Sequence, residues 1–140
     1  SNEAKFKWVL YLQGGGWCAG DDTAYLPGYS DDESVAHPDS CAERAKGYHG
    51  STRSDRHSRT FDELGFLSGC PKENPMMYNW NRVLVRNCDG TAFLSSLDEP
   101  VQVGDVRLLF RGRDNIFAVL EELLSKHGLR HAEEFVLSGC

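Results

Sequence analysis

The chain has 140 residues, of which 40% are hydrophobic and 26% charged, a composition typical of one globular domain of ordinary size. Its formal net charge of -6 comes from interspersed acidic and basic residues, so there is no basic stripe of the kind that binds nucleic acid. No apolar run approaches the roughly 18 residues that a membrane span requires. We therefore predict neither a nucleic-acid partner nor a membrane span.

The first predicted element is a short buried strand at residues 7–12. This segment, KWVLYL, is a nearly continuous apolar run rich in aromatic and branched side chains. It ends abruptly before Gly14, Gly15 and Gly16. A buried strand followed by a glycine-rich turn is therefore the first candidate for a functional site.

Residues 19–59 are predicted to be rich in loops. One short helix is expected to start at Ser40 and to stop at Gly47. A loop of this length is usually functional or cross-linked, and a disulfide between Cys18 and Cys41 is one hypothesis for the cross-link. The chain has 5 cysteines, none in a CxxC pair, which favours an oxidising compartment over a zinc or redox site. The sequence alone does not decide their pairing.

The middle of the chain contains the second predicted strand. It lies within residues 78–88 and is centred on residues 82–86. Asp89 and Gly90 then indicate a turn. Residues 101–110 alternate in places between apolar and polar side chains, and we expect either a hairpin or an extended arm there.

The clearest predicted helix covers residues 114–126. Asp114 is expected to cap it, because an aspartate carboxylate accepts a free N–H of the first turn, and Gly128 is expected to end it. One face carries the apolar residues Ile116, Phe117, Leu120, Leu123 and Leu124. Residues 134–138 then form a third buried strand. A strand–helix–strand order of this length predicts an α/β fold with a mainly parallel sheet and a right-handed crossover.

The glycine turn is the first place where chemistry is expected. Glycines let the backbone turn sharply and bring its N–H groups close to a ligand. In serine esterases such a loop after an early strand donates hydrogen bonds to the tetrahedral oxyanion. The alternative is a plain glycine-rich turn. Dinucleotide binding is disfavoured, because no GxGxxG motif opens a helix there.

The last residues form the second candidate. Gly139 and Cys140 follow a strand in the way that a Gly-x-Ser-x-Gly nucleophile elbow begins. The serine would be the next residue. Ser138 is not a substitute, because it lies inside the predicted strand.

Several ordered motifs resemble the pectin acetylesterase/Notum family. They span essentially all of the chain and read LQGGGWC (residues 12–18), GFLS with NP (65–68, 74–75), YNWNRV with VR and CDG (78–83, 85–86, 88–90), FRG (110–112) and LSGC (137–140). In that family LSGC precedes the catalytic serine. One departure is Gln13, where the family usually has glutamate, so the interaction made by that glutamate is not expected here.

The resemblance implies an incomplete α/β-hydrolase-like fold, with residues 1–140 as the N-terminal part of one domain. It implies a Ser-Asp-His triad whose three members all lie outside this segment, so the segment alone should be inactive. It assigns the oxyanion hole to Gly15 and Gly16 and one wall of the acyl site to Trp17. The pocket floor or the sheet edge near it would be shaped by Tyr78, Asn79, Trp80, Asn81 and Asp89.

The function implied by the resemblance is serine-dependent deacetylation of a polysaccharide by a secreted or cell-wall enzyme. The alternatives are a Notum-like protein deacylase and a non-catalytic structural or interaction module. We expect an acylated polysaccharide or other acyl ester as substrate, no cofactor and no metal. The incomplete sheet could also require the remainder of its own fold, or another chain, as a partner.

The remaining polar clusters have simpler interpretations. His127 and His131 are expected to be solvated rather than metal-binding, because Gly128 interrupts the helix between them. The acidic residues 31–33 are expected to form a solvated turn, since they lack the alternating spacing of a calcium loop. His37, His49 and His57 are expected to be exposed loop residues.

Overall fold

A computed structural model describes residues 2–18, 40–47, 49–53, 55–56, 58, 60–61 and 65–139. The acidic residues 31–33, His37, His57 and Cys140 lie outside these residues. The strands and α-helices, in chain order, are β1 (Lys7–Leu12), α1 (Cys41–Arg44), β2 (Asn81–Val85), β3 (Val101–Val103), β4 (Val106–Leu108), α2 (Gly112–Lys126) and β5 (Glu134–Gly139). Short 3-10 helices cover Asn2–Phe6, Gly65–Leu67 and Leu129–His131.

The chain divides into two compact units. Unit 1 comprises Ser1–Gln13, Arg56–Val85 and Ala118–Cys140, and unit 2 comprises Gly14–Asp55 and Arg86–Phe117. The first segment of unit 1 contains β1 and ends at Gln13, and the glycine loop (residues 14–16) is the first part of unit 2.

Unit 1 is built on a parallel sheet with the strand order β2-β1-β5. The central strand is the most buried, with Trp8, Val9 and Leu10 forming much of the core. Leu12 pairs with Val85 on one side and with Gly139 on the other, so the carboxyl ends of the strands lie side by side. The predicted α/β class and the parallel sheet are confirmed.

The third strand has the predicted position, but the prediction that it is buried is wrong. In β5 the side chain of Phe135 is 45% exposed and that of Leu137 is 59% exposed. The physical reason is that strand side chains point to the two faces of the sheet, and the described residues leave both faces of β5 largely uncovered. In the described part of the chain β5 is also an edge strand that pairs with β1 alone. An apolar edge of this kind normally requires a covering partner.

Unit 2 contains α1 and the β3–β4 hairpin, which contact each other. The hairpin alternative predicted for residues 101–110 is confirmed: the strands are antiparallel, with Val103 opposite Val106. Helix α1 also begins as predicted, since the Ser40 hydroxyl accepts a hydrogen bond from the N–H of Glu43 at 3.2 Å. Serine at this position satisfies an N–H group that has no partner within the helix.

Helix α2 differs from the prediction at its first turn. It starts at Gly112 rather than Asp114, and the Asp114 carboxylate accepts a hydrogen bond from the hydroxyl of Ser96 at 2.7 Å instead of capping the helix. The N–H of Gly112 donates to Asp89 Oδ2 at 2.6 Å. The start of the helix is therefore set by an acceptor 23 residues away along the chain.

The end of α2 is as predicted. The helix finishes at Lys126, whose ammonium group lies 2.8 Å from Glu122, and Gly128 has a φ of 86°. Its apolar face is only partly covered, since Phe117 is 63% exposed. No helix in the described residues is long and apolar enough to cross a membrane.

Candidate active site

The glycine loop follows β1 and presents backbone donors to solvent. Gly15 and Gly16 have φ values of 136° and 70°. The backbone of residues other than glycine rarely adopts positive φ values of this kind. Both residues are exposed, and neither N–H donates a hydrogen bond to any group in the described part of the chain. Among the described residues, these N–H groups thus have no internal acceptor and could serve a ligand.

His49 packs directly against this loop. A Cβ added to Gly15 would lie 2.6 Å from Nδ1 and 2.8 Å from Cε1 of the His49 ring. The ring nitrogen Nδ1 is inaccessible to solvent. The expectation that His49 is an exposed loop residue is therefore wrong, because the loop backbone approaches its ring as closely as only a glycine permits.

Arg44 contacts the loop from helix α1. Its guanidinium Nη2 donates to the Gly15 carbonyl oxygen at 2.5 Å, and its side chain is buried. No sequence pattern had singled out Arg44. The available signal was indirect: the hypothesised disulfide would bring α1 to the segment that follows the glycines.

The predicted disulfide between Cys18 and Cys41 is present. It joins the segment after the glycines to the first residue of α1. The N–H of Cys18 also donates to the Gly90 carbonyl oxygen at 2.8 Å. Gly90 has a φ of 72°, and a Cβ there would lie 2.8 Å from Cys18 Sγ. The loop is therefore held by covalent and hydrogen-bonded contacts within unit 2.

Trp17 lies between the glycines and the disulfide. Its side chain is 65% exposed, unlike that of a core tryptophan. A large exposed aromatic surface next to the N–H groups of the glycine loop is suited to contact an apolar part of a ligand.

The carboxylate of Asp89, a predicted site residue, accepts hydrogen bonds that stabilise the fold. The donors are the N–H of Thr91 at 3.1 Å, the Thr91 hydroxyl at 2.6 Å and the N–H of Gly112. The turn that it stabilises includes Ala92 and Phe93 with φ values of 51° and 66°, which are unusual for residues other than glycine. The carboxylate thus holds both this turn and the start of α2.

The predicted residues 78–81 belong to unit 1. Asn81 opens β2, and its amide donates to the carbonyl oxygens of Lys5 and Lys7 at 3.0 and 3.1 Å. The Lys7 ammonium lies 5.7 Å from the centre of the Trp80 ring. Because Asn81 pairs with Trp8 at the start of β1, this group lies at the amino ends of the parallel strands. A substrate role for Tyr78, Asn79, Trp80 and Asn81 stays a prediction.

The strand that leads to the predicted nucleophile elbow ends beside β1. Gly139 pairs with Leu12, and a Cβ on Gly139 would lie 3.0 Å from the Leu12 carbonyl oxygen. Ligands of α/β folds bind at the carboxyl ends of the strands. The two strand ends that carry the candidate motifs are thus neighbours in the sheet.

Two cysteines in the described residues have free thiols, Cys70 and Cys88. Burial raises the pKa of the Cys88 thiol, and the neighbouring Asp89 carboxylate raises it further. The amide of Asn115, 3.6 Å from the sulfur, acts in the opposite direction. Cys88 is therefore a poorly ionised thiol and lacks the properties of a nucleophile.

Among the described residues, no three His, Cys, Asp or Glu side chains come together as a metal site. His127 is exposed and lies 3.8 Å from Glu122, and His131 is also exposed. The chemistry that the described residues support is hydrogen bonding to an anionic oxygen by the glycine loop.

Comparison with known proteins agrees with the motifs. A family model described as pectinacetylesterase matches residues 1–140. The chain is 36% identical over 140 residues to pectin acetylesterase 4 of Arabidopsis thaliana, covering 100% of this chain and 29% of that protein. It is 35% identical over 133 residues to pectin acetylesterase 7 of the same plant, covering 95% of this chain and 28% of that protein. The chain thus spans less than about a third of the length of these relatives.

Among solved structures, the Wnt deacylase Notum from Drosophila has the same fold over most of this chain. The TM-score is 0.70 at 24% sequence identity, and the match covers 96% of this chain and 34% of that chain. The parallel sheet therefore belongs to an α/β-hydrolase-like fold. Since the family model covers the whole chain and the ordered motifs accompany it, the chain belongs to the pectinacetylesterase family.

Proposed function

We propose that this chain supplies the oxyanion-binding part of a serine-dependent carboxylic ester hydrolase. The observation that carries the proposal is that Gly15 and Gly16 are exposed residues whose N–H groups donate to no acceptor in the described residues. Attack on an ester carbonyl places negative charge on its oxygen. Donors fixed in position before that charge develops lower the barrier by about 3–4 kcal/mol each.

The nucleophile in this proposal is a serine directly after Cys140 in the longer protein. Support comes from the order of a strand, Gly139 and Cys140, which starts a Gly-x-Ser-x-Gly elbow. The N–H of the residue after that serine would complete the oxyanion hole. The triad Asp and His would then lie in the part of the relatives that this chain does not cover.

For the substrate, we propose an acetyl ester on a polysaccharide such as pectin. This class is supported by the names of the curated relatives, which are pectin acetylesterases. Trp17 would contact the acyl or leaving group. Its exposed ring provides apolar area, while the adjacent glycines provide polar donors.

The proposal is tested with the longest natural form of the protein. We expect it to release acetate from acetylated pectin and to react with a fluorophosphonate probe at the residue after Cys140, located by peptide mass mapping. Gly16→Ala should lower kcat by about 100-fold, because alanine disfavours the left-handed backbone that aims the donor. Gly47→Ala is the matched control, since only the Arg44 carbonyl oxygen, at 3.9 Å, would approach the added Cβ. A full-length protein that neither reacts with the probe nor releases acetate contradicts the proposal.

A second candidate is the removal of a fatty acyl group from a protein, favoured by the fold shared with a Wnt deacylase. Turnover of an octanoylated serine peptide faster than acetylated pectin would support it. A protein that binds acetylated pectin without hydrolysing it would instead be a non-catalytic module of the family.

We also propose that the protein is secreted. The Cys18–Cys41 disulfide supports an oxidising compartment, since such bonds persist there and are rare in the cytosol. Fractionation of cells that express a tagged full-length protein tests this: we expect it in the medium or the cell wall, and retention in the cytosol contradicts the proposal.

A further inference from the structure

Arg44 is a buried cation beside the glycine loop. Its side chain is only 8% exposed. Besides the bond from Nη2 to the Gly15 carbonyl oxygen, its Nη1 lies 3.9 Å from the position that a Gly16 side chain would occupy. The guanidinium thus faces the two glycines to which the oxyanion hole is assigned.

In the part of the chain that the structure describes, no carboxylate balances the charge of Arg44. No Asp or Glu in the described residues forms an ion pair with it, whereas Arg86, which is less buried, pairs with Asp55. Burying a cation without a counter-charge is costly. Negative charge developing on an acyl oxygen bound near the guanidinium would offset this cost.

The bond to Gly15 also sets the direction of the next N–H group. In a trans peptide the carbonyl of one residue and the N–H of the next point in opposite directions. Because Arg44 holds the Gly15 carbonyl, the N–H of Gly16 must point away from α1. This N–H, for which the described residues offer no acceptor, is a donor of the proposed oxyanion hole.

The helix that carries Arg44 is held at its first turn. Arg44 lies at the end of α1, whose first turn is capped by Ser40 and whose first residue is cross-linked to Cys18. The glycines and the arginine are thus connected at two points, by the disulfide and by the hydrogen bond. A donor set needs such support to stay within about 0.5 Å of its working position.

We infer that Arg44 is a positioning residue of the esterase reaction: it fixes the Gly15–Gly16 peptide so that the Gly16 N–H meets the oxyanion, and its positive charge favours that anion. This inference rests on the proposed function. It adds that one buried arginine outside the triad controls the oxyanion hole through backbone contact and charge.

The test compares three variants of the full-length protein with wild type. Arg44→Gln keeps a donor but removes the charge, Arg44→Lys keeps the charge but loses the planar fork, and Arg53→Gln removes an exposed arginine of the same unit as the control. The readouts are kcat and KM for p-nitrophenyl acetate per fluorophosphonate-titrated site, and the Kd of an arylboronic acid. Serine boronates are anionic and tetrahedral, so their Kd reports oxyanion binding.

We expect Arg44→Gln to lower kcat by about 10- to 100-fold and to weaken boronate binding by a similar factor, with KM within about twofold of wild type. Arg44→Lys should fall between Arg44→Gln and wild type, and Arg53→Gln should match wild type. A purely structural role would lower the number of titrated sites and the melting temperature but leave kcat per site unchanged, and that result overturns the inference.

If Arg44→Gln does not fold, the role of Arg44 is tested with the Arg44→Lys variant and with the boronate adduct of the wild-type protein. A crystal structure of the adduct should show the Gly16 N–H on the anionic oxygen while Arg44 still holds the Gly15 carbonyl. An adduct in which the Gly16 N–H does not contact that oxygen overturns the inference. An inactive, unlabelled wild-type protein contradicts the proposed function itself, whereas an active wild type with a fully active Arg44→Gln variant contradicts only the role of Arg44.

Discussion

Removing the disulfide next to the glycine loop should destabilise unit 2 by an amount that follows from the loop it closes. Cys18 and Cys41 are 23 residues apart in sequence. Cross-linking a loop of that length lowers the entropy of the unfolded chain, which corresponds to about 3.4 kcal/mol of stability at 25 °C in the chain-entropy model. We therefore expect the double variant Cys18→Ser/Cys41→Ser to lose about 2–4 kcal/mol.

The assay is urea unfolding at equilibrium, followed by the fluorescence of Trp17 and the other tryptophans and by circular dichroism. Cys70→Ser is the matched control, because Cys70 is a free, half-buried thiol. We expect this control to change the free energy of unfolding by less than about 0.5 kcal/mol, the usual range for a substitution away from the core. Reduction of the wild-type protein should reproduce the double variant.

The same change should affect the glycine loop more than the sheet. Cys18 lies two residues after Gly16, so the loss of the cross-link releases one support of the proposed oxyanion hole. We expect faster amide exchange at residues 14–18 and little change in β1. Unchanged stability in the double variant, or equal loosening of β1 and the loop, would refute the reasoning from loop closure.

Three further predictions concern close contacts and a buried thiol. Gly112→Ala should lower the free energy of unfolding by about 1–3 kcal/mol, measured by thermal unfolding, although alanine has the higher helix propensity. The reason is that the added Cβ would lie 2.7 Å from the Asp89 carboxylate. A gain in stability contradicts this prediction. Gly15→Ala should be destabilising, and adding His49→Ala should recover part of the lost stability because it removes the 2.6 Å contact. If the effects of the two substitutions on stability are strictly additive in a double-mutant cycle, there is no steric clash between them. Cys88 should react with iodoacetamide more slowly than an unfolded thiol and only at higher pH, because burial and then Asp89 raise its pKa; Asp89→Asn should speed the reaction. Since the neutral thiol is favoured in the folded state, its contribution to stability should be lost as the pH rises through that raised pKa.

Local patterns in the sequence were sufficient to predict those strands and helices whose ends are set by residues within or next to them. The strand at Lys7–Leu12 follows from a short run of aromatic and branched side chains, and α1 follows from the serine that caps it. The end of α2 follows from Gly128, which adopts a left-handed backbone at little cost. The family was also visible in the ordered motifs, because each is a local string of residues.

Tertiary structure decided the features that depend on partners distant in sequence. Helix α2 starts at Gly112 because the Asp89 carboxylate receives its first N–H, and no pattern near Gly112 indicates that acceptor. The exposure of the β5 side chains depends on what packs on the two faces of the sheet there, whereas its apolar sequence alone indicates burial.

The surroundings of the glycine loop are the clearest example. The glycines themselves indicated a close approach, and the disulfide was one hypothesis for the long loop. Arg44 and His49 have ordinary local sequences, and only the folded chain brings them to Gly15. The sequence by itself therefore determined where the donors are, while the tertiary structure decided what orients them, because hydrogen bonds and steric contacts act across space rather than along the chain.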